Sequence, residues 1–490
     1  MKGQNQCVLA AAAWLLAADP CAARRPDGYL ELAVIDAETR QPVAARLHLT
    51  DTRGRPVAAP KGRDAWGVAR LGDHAYLDGK ATLGLRRGVY RFLLDAGPEY
   101  RTQHGHFEIA RHAEDSKTVE VRRHARLADE GWFAADLASC RPPENLPLLQ
   151  RAEQLAYTPT IVAVWEGKQW APPRLAEHGR RHTDTSGATA VWSTERGTVW
   201  LIDPDESRAI ADLPTPSESL KAFLGAARED GWRVIASITS RELPLWIAHD
   251  LIDALVVIKG DIDQAEPGRK PDPLLFPGEQ GLGRWRRHLY ESLVDAGVSL
   301  PPVALTGSGL NTLPLGSSRV YAFTDGDPSC DAWWRAVEDR SVFVTNGPLL
   351  RAFVAGTPPG STFLLGPGET RAFSITLSLA TRSKIEYLEL IKNGRVERNV
   401  RLADVAANGG RLPEIAFDAP GWLAVAAVTS ATDRYEYAMS APWFVEDAKG
   451  PRIDREACEA WLAALAEARD AFGASDPEAY NEAEAWWRAR

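Results

Sequence analysis

Cysteine is scarce in this sequence. Five cysteines occur among 490 residues, and beyond residue 23 only Cys140, Cys330 and Cys458 remain. Three cysteines this far apart provide neither a disulfide framework nor the paired spacing of a zinc site. We therefore expect buried or idle thiols. Oxidation of one pair is compatible with an exported protein, and the sequence does not identify the pair.

An excess of positive charge is also absent. The chain has 57 Lys and Arg against 66 Asp and Glu, which gives a formal net charge of -9. Binding to nucleic acid needs Lys and Arg clustered on one face to contact phosphates, and the sequence shows no such cluster. We therefore predict no nucleic-acid partner, although a local basic patch is still compatible with this sum.

Beyond the N-terminus, the sequence has no uninterrupted apolar run of the ~18 residues that a membrane-spanning helix requires. The N-terminus has Lys2, then twelve apolar residues from Cys7 to Ala18, then the small residues Cys21-Ala22-Ala23. This order is typical of a secretion signal, and twelve helical residues reach only ~18 Å. We predict a signal peptide over residues 1–23, export to the periplasm or extracellular space, and no membrane span. A lipoprotein is the alternative, although Cys21 does not follow the Leu-small-small triplet that lipidation needs.

The length of the chain and its changes of pattern predict several domains. About three domains of ~100–200 residues fit a chain of this size. Residues 28–125 show short alternating strands separated by turns, as in Val43 to Thr50, and predict a β-sandwich. This stretch resembles the carboxypeptidase-regulatory-like or Ig-like modules that precede secreted enzymes.

The rest of the chain divides by the same criteria. Residues 126–345 alternate strand-like and helical stretches, which indicates a parallel α/β barrel or open sheet. One helical stretch is Ser217 to Asp230, with Ser217 as the expected N-cap. Residues 346–447 return to alternating strands and predict a second β-sandwich. Residues 452–490 predict a C-terminal helix that caps or docks on the surface rather than holding a cofactor.

One segment after the first sandwich carries most of the functional information. It reads Gly131-Trp-Phe-Ala-Ala-Asp-Leu-Ala-Ser-Cys-Arg-Pro142. It resembles the opening strand of the PHP (polymerase and histidinol phosphatase) superfamily in its secreted CehA/McbA-like branch, which typically reads Gly-Trp-x-x-x-Asp-x-His-x-His-Arg. Further stretches resemble the same family in the same order, at residues 151–159, 306–314, 319–321, 331–334 and 342–350. The resemblance implies a distorted (β/α) PHP-type barrel, here flanked by the two β-sandwich domains.

The resemblance also implies a metal-dependent hydrolase, in which Zn, Mn or Fe ions activate water against a phosphate or similar ester. Here Ala138 and Cys140 stand at the two histidine positions of the motif. Alanine has no ligand atom, and one thiolate is a poor substitute in a cluster of nitrogen and oxygen ligands. The candidate metal ligands that remain are Asp136, Cys140 and Glu195. Lys259 places a cation where the family has a further ligand, so we expect no cofactor, or a divalent metal if the protein is active.

Each candidate residue also has a purely structural interpretation. Asp136 at a strand end is well placed to accept a hydrogen bond from a loop amide, and Glu195 to lie in an exposed turn. Cys140 is suited to fill the space of a lost imidazole as a buried thiol. His104 and His106 form a His-x-His pair, for which we favour an edge strand without further ligands over a metal site.

Three functions are compatible with these features. The first is an exported, PHP-like protein that has lost metal-dependent hydrolysis and serves as a binding or scaffolding protein for an unknown small molecule or surface ligand. The second is a phosphoesterase or other hydrolase with a rearranged site, one metal being held by Asp136, Cys140 and Glu195. The third is a carbohydrate- or surface-binding protein that uses its sandwiches.

Overall fold

The computed structural model describes residues 26–57, 69–71, 73–174, 189–203, 213–217, 219–260 and 268–490. The predicted signal peptide over residues 1–23 lies outside these ranges. In this part of the chain, no helix is long and apolar enough to cross a membrane.

The N-terminal region contains two sheets around a shared apolar core, in the arrangement of a β-sandwich. Its strands are β1 (Gly28–Asp36), β2 (Ala44–Asp51), β3 (Ala69–Leu71), β4 (His74–Asp78), β5 (Lys80–Leu85), β6 (Gly88–Asp95), β7 (Gln103–Ile109) and β8 (Glu114–Val121). Their hydrogen-bonded orders are β5-β1-β8 and β3-β4-β2-β6-β7. Leu30, Leu32 and Val34 alternate with more exposed residues along β1 and enter this core, because successive side chains of a strand point to opposite faces.

The central region alternates strands and helices, as predicted, but its main sheet is mixed rather than parallel. Its elements are β9 (Trp132–Ala135), α1 (Leu146–Glu153), β10 (Ile161–Trp165), β11 (Trp170–Ala171), β12 (Thr189–Thr194), β13 (Gly197–Ile202), α2 (Leu220–Glu229), β14 (Arg233–Ser237), α3 (Leu243–Ala248), β15 (Ala254–Lys259), α4 (Gly281–Asp295), β16 (Pro302–Leu305), β17 (Arg319–Phe323), α5 (Cys330–Glu338) and β18 (Val342–Thr345). The main sheet has the order β11-β10-β12-β13-β14-β15-β16. Strand β13 runs antiparallel to both of its neighbours, whereas the β10–β12, β14–β15 and β15–β16 pairs are parallel.

The described strands do not close into the predicted barrel. Strands β9, β17 and β18 belong to another sheet. Single bridges approach closure: Ser139 pairs with Thr160 before β10 and with Ser308 after β16. Near these bridges, the amide of Thr306 donates to the side chain of Asp136.

The C-terminal β region shares a sheet with the central region. Its elements are β19 (Leu349–Val354), β20 (Thr362–Leu364), β21 (Arg371–Ala380), β22 (Ile385–Lys392), β23 (Arg395–Val400), α6 (Leu402–Ala407), β24 (Arg411–Phe417), β25 (Gly421–Thr429), β26 (Tyr437–Ser440) and β27 (Trp443–Glu446). One sheet has the order β20-β27-β25-β26-β18-β17-β9, with β22 beside β25 and β23 beside β22; the other is β19-β21-β24. Pairing of β18 with β26 carries the first sheet across residue 345, where the sequence pattern predicts a domain boundary.

The segment predicted to be helical over residues 452–490 consists of two helices. They are α7 (Arg455–Phe472) and α8 (Pro477–Arg488), separated by a 3₁₀ turn at Gly473–Ser475. Trp487 Nε1 donates to the carbonyl of Pro244 at 2.9 Å, and Trp461 Nε1 donates to Ser292 Oγ at 3.1 Å. The pair therefore docks on α3 and α4 of the central region.

Candidate functional site

Asp136 follows β9 and holds a distant loop through main-chain hydrogen bonds. Its Oδ1 accepts from the amide of Thr306 at 2.8 Å, and its Oδ2 accepts from the amide of Gly316 at 2.7 Å. Burial raises the pKa of Asp136 to about 6, although the hydrogen bonds from Thr306 and Gly316 act in the opposite direction. The prediction that Asp136 accepts hydrogen bonds from loop amides is thus confirmed.

The backbone after Asp136 is held against the same loop. The amide of Gly307 donates to the carbonyl of Ala138 at 3.0 Å, and the amide of Cys140 donates to the carbonyl of Ser308 at 2.6 Å. Cys140 is buried, as predicted, and forms no disulfide with Cys330 or Cys458. Main-chain hydrogen bonds therefore fix both positions that carry histidine in the resembled family.

Close approach of the loop depends on a glycine. Gly309 has φ +98, and a Cβ at this position would lie 2.4 Å from the carbonyl oxygen of Cys140. The buried Arg141 adds a side-chain contact, because its Nε donates to Ser308 Oγ at 3.0 Å. The stretch over residues 306–314, which the sequence analysis relates to the PHP family, thus packs directly on residues 136–141.

Glu195 and Lys259 have different surroundings. Glu195 is exposed in the turn between β12 and β13, where Thr194 pairs with Gly197, in agreement with its structural interpretation. Lys259 ends β15 and pairs with Leu305, the residue before Thr306. A lysine therefore lies beside the loop that Asp136 holds, whereas Glu195 lies on the surface.

The residues at the resembled metal position do not fit a divalent metal ion. Among the described residues, no three or more His, Cys, Asp or Glu side chains are grouped so that they would hold an ion. Both oxygens of Asp136 accept amide hydrogens, and Ala138 has no ligand atom. Asp136 instead supports the loop from Thr306 to Gly316.

The supported loop leads to a charged cavity of about 210 Å³ between the three predicted domains. Gly316, whose amide binds Asp136, lines this cavity next to Pro314 and Arg319, which lie in stretches that resemble the PHP family. All three regions contribute to the cavity walls, which include Arg46, Asp95, Glu153, Arg319, Asn346, Gly347, Arg382, Arg434 and Glu436.

One wall of the cavity is a continuous network of ion pairs. Arg46 contacts Asp95 at 2.9 Å and Glu153 at 3.2 Å, while Arg382 binds the two oxygens of Asp95 at 2.7 and 3.1 Å. Burial raises the pKa of Glu153. Burial also acts to raise the pKa of Asp95, but the hydrogen bonds and charge of Arg382 outweigh it and lower that pKa. Asp95 therefore stays ionised between two arginines and joins the N-terminal region to the C-terminal region, while Arg46 adds the central region through Glu153.

Arg319 adds a buried positive charge to the cavity lining. Its Nε donates to the carbonyl of Gly316 at 2.7 Å, and its Nη1 donates to the carbonyl of Glu153 at 2.7 Å. The residue is 5% exposed. Carbonyl groups thus fix this guanidinium in place and leave its formal charge beside the cavity.

Glu436 adds a carboxylate with one unsatisfied oxygen. Its Oε2 contacts Arg434, and the residue is 3% exposed. Within the described part of the chain, Oε1 has no hydrogen-bond partner. Gly347 leaves room for it, since a Cβ there would lie 2.8 Å from Oε1. Because an unsatisfied buried carboxylate costs about 1–3 kcal/mol or more, a hydrogen-bond donor on a ligand would be stabilised at this point.

The sequence indicates the loops of this site but not its charged walls. Asn346 and Gly347 lie in a stretch that the family resemblance selects, and Gly316 lies between two such stretches. Arg382 and Arg434 lie outside any motif, and they reach the cavity only because sheet pairing brings their turns to it. The sequence signal for the cavity loops is the recurrence of small and turn-forming residues in the stretches that resemble the PHP family.

Comparison with known proteins does not assign the chain to a family. No family model matches it, and no curated protein matches it. A solved structure described as the Bacillus anthracis TIE protein has 16% sequence identity and a TM-score of 0.15, over 24% of this chain and 20% of that chain. The chain thus spans about a fifth of that protein's length. The geometry of the Asp136 loop and the charged cavity is therefore the basis on which a function is proposed.

Proposed function

We propose that this protein is an exported, PHP-like binding or scaffolding protein without metal-dependent hydrolysis, and that it binds a small charged solute in the cavity between its three regions. The former metal-binding segment supports the cavity loop in this proposal. The two single bridges of Ser139 support the proposed relation to the PHP superfamily, because they approach the closure of a barrel between β10 and β16.

The observation that carries the proposal is the bonding of Asp136. A carboxylate that bound metal ions would direct its oxygens at the ions, whereas here they accept amides from Thr306 and Gly316. Gly316 also lines the cavity. One residue of the family motif thus positions the wall of a binding site instead of a metal cluster.

The cavity lining indicates the class of solute. Its volume of about 210 Å³ is below the ~300–1,000 Å³ typical of pockets for drug-sized ligands. Arg319, which is held by carbonyl groups, favours an anionic group, whereas Arg434 is already paired with Asp433 and Glu436. The unsatisfied Oε1 of Glu436 favours an N–H or O–H donor. A small zwitterion such as an amino acid, or a hydroxylated acid such as a sugar acid, combines both features.

Binding assays test this proposal directly. Calorimetric titration with amino acids, sugar acids and short dicarboxylates is expected to identify a binder. Glu436→Gln is expected to weaken it at least tenfold. Glu414→Gln, in an exposed position on β24, is the matched control and is expected to leave affinity unchanged. A panel without any binder, or a binder with equal affinity for both variants, would contradict the proposed site.

A further inference from the structure

The ionisable residues that line the charged cavity carry a surplus of one positive charge. Four arginines and three carboxylates make up this set: Arg46, Arg319, Arg382, Arg434, Asp95, Glu153 and Glu436. Charges at a partly enclosed site interact more strongly than they do in water, because less solvent lies between them. A ligand with one net negative charge therefore complements the lining, whereas a ligand without net charge leaves the surplus uncompensated.

The surplus charge lies at Arg319. Asp95 and Glu153 belong to the network described above, where they balance two other arginines. The guanidinium of Arg319 instead donates through Nε and Nη1 to two backbone carbonyls, which are neutral groups. Burial raises the pKa of Glu153, and the charges of Arg46 and Arg319 oppose this effect, but the carboxylate of Glu153 contacts Arg46. Arg319 is thus the cation of the lining that an acidic ligand would neutralise.

Glu436 and Arg434 form a pair without net charge that still has an acceptor atom. Oε2 of Glu436 contacts Arg434, and within the described part of the chain Oε1 has no hydrogen-bond partner. Asp433 also contacts Arg434, but its side chain is 73% exposed, so water solvates it and the contact contributes little. The buried Glu436 depends on Arg434 for compensation of its charge. The ligand group that meets Oε1 therefore needs to donate a hydrogen bond but does not need to bring a charge.

The position of Arg434 disfavours a cationic donor. An ammonium group on Oε1 would share one carboxylate with the guanidinium on Oε2, and like charges within ~4–6 Å disfavour the charged form of each group. Two arginines share Asp95 on the other wall, but there a second carboxylate, Glu153, offsets their repulsion. Among the described residues, no second buried carboxylate contacts Arg434. A hydroxyl group donates to Oε1 without this repulsion.

We propose that the cavity selects a hydroxy acid with one negative charge over the amino acid of the same skeleton, and that Arg434 determines this selectivity. The carboxylate of the ligand pairs with Arg319, and its hydroxyl donates to Oε1 of Glu436. This inference rests on the proposed function, because it concerns the same cavity. It narrows the two classes of solute that the lining allows to one class.

Matched ligands that differ in one group test this proposal. Glycolate and glycine, lactate and alanine, and gluconate and glucosaminate each exchange a hydroxyl for an ammonium group. In calorimetric titrations at neutral pH, the hydroxy acid is expected to bind at least tenfold more tightly than its amino partner. Arg434→Gln is expected to reduce this preference at least tenfold, because an ammonium group would then meet Glu436 without an adjacent cation. Arg398→Gln, in an exposed position on β23, is the matched control and is expected to retain the preference.

The outcomes separate this inference from the proposed function. An amino acid that binds as tightly as its hydroxy partner would overturn the selectivity and leave the cavity as a binding site. The same preference in Arg434→Gln as in the wild type would overturn the role of Arg434. If no ligand of either series bound, the proposed function would be contradicted, and this inference with it. The comparison of ligands on the wild-type protein needs no variant, and circular dichroism establishes whether Arg434→Gln is folded.

Discussion

At the scale of single residues, Asp136 fixes the segment after β9 to the loop from Thr306 to Gly316. Its two oxygens hold amides that lie far along the chain, at Thr306 and Gly316. The sequence shows that residues 138 and 140 are not histidine, although the resemblance to the PHP superfamily leads one to expect histidine at both. The partners of Asp136 are not readable in the same way, because no local pattern specifies which distant amides a buried carboxylate meets.

Asp136 predicts a characteristic pH dependence of stability. Its pKa in the folded protein is about 6, above the ordinary 3.8, so the folded state binds this proton more tightly than the unfolded state. The contribution of Asp136 is therefore most favourable below pH ~4, and the free energy of unfolding falls by ~3 kcal/mol as the pH rises from ~4 to ~6. Denaturant titrations across this range are expected to show the fall in wild type. Persistence of the same fall in Asp136→Asn would contradict its assignment to Asp136.

Gly309 predicts a second effect at this scale. Gly309→Ala places a Cβ against the carbonyl of Cys140, in addition to the cost of about 1–2 kcal/mol for a positive φ. Gly326→Ala is the matched control, since Gly326 has φ +96 and open space around a Cβ. We expect Gly309→Ala to lower the free energy of unfolding by at least about 1 kcal/mol more than the control. Equal losses would show that the loop does not need this close approach.

At the scale of elements, local patterns predict helices better than their ends. Helix α2 was predicted from the spacing of its apolar residues, and its buried residues include Leu220, Phe223 and Leu224 as that spacing requires. The expected N-cap, Ser217, was wrong. Ser219 is the cap, because its side chain accepts the amide of Ala222 immediately before the first buried leucine. Because serine occurs at both 217 and 219, the sequence alone does not indicate which of the two is the N-cap.

The docking of α7 and α8 predicts a large effect at the element scale. Trp487 is 1% exposed and stacks on Trp461. Trp487→Ala is expected to lower the free energy of unfolding by about 3–5 kcal/mol, because it removes a buried aromatic side chain. The neighbouring Trp486 is only partly buried, so Trp486→Ala is expected to cost clearly less. Comparable losses in both variants would contradict the docking described for α8.

At the scale of the whole molecule, ion pairs and a shared sheet join regions that the sequence separates. The sequence predicts a β-rich N-terminal region, an α/β centre and a β-rich C-terminal region, and the structure is of this mixed kind. The sequence does not predict the pairing of β18 with β26, because these strands are remote along the chain and a strand pattern does not specify its partner. For the same reason, the sequence does not predict the ion-pair network through Asp95.

The ion pairs of Asp95 are expected to contribute strongly to the stability of the contact between the N-terminal and C-terminal regions. Asp95→Ala removes the shared partner of Arg46 and Arg382 and leaves Arg46 with Glu153 as its carboxylate partner, so we expect the loss of these charged hydrogen bonds to cost about 1.5–3 kcal/mol. Glu31→Ala breaks the exposed pair with Lys80 in the same sandwich and is expected to cost at most about 1 kcal/mol. Thermal and denaturant unfolding measure both. A loss in Asp95→Ala no larger than in the control would indicate that the network does not hold the regions together.

The most direct test of the central claim is elemental analysis of the purified protein after incubation with manganese, iron and zinc salts. Asp136 binds amides in our account, and we therefore predict no stoichiometric metal ion per chain. Two or more ions retained per chain, and lost when Asp136→Ala is added, would contradict the account.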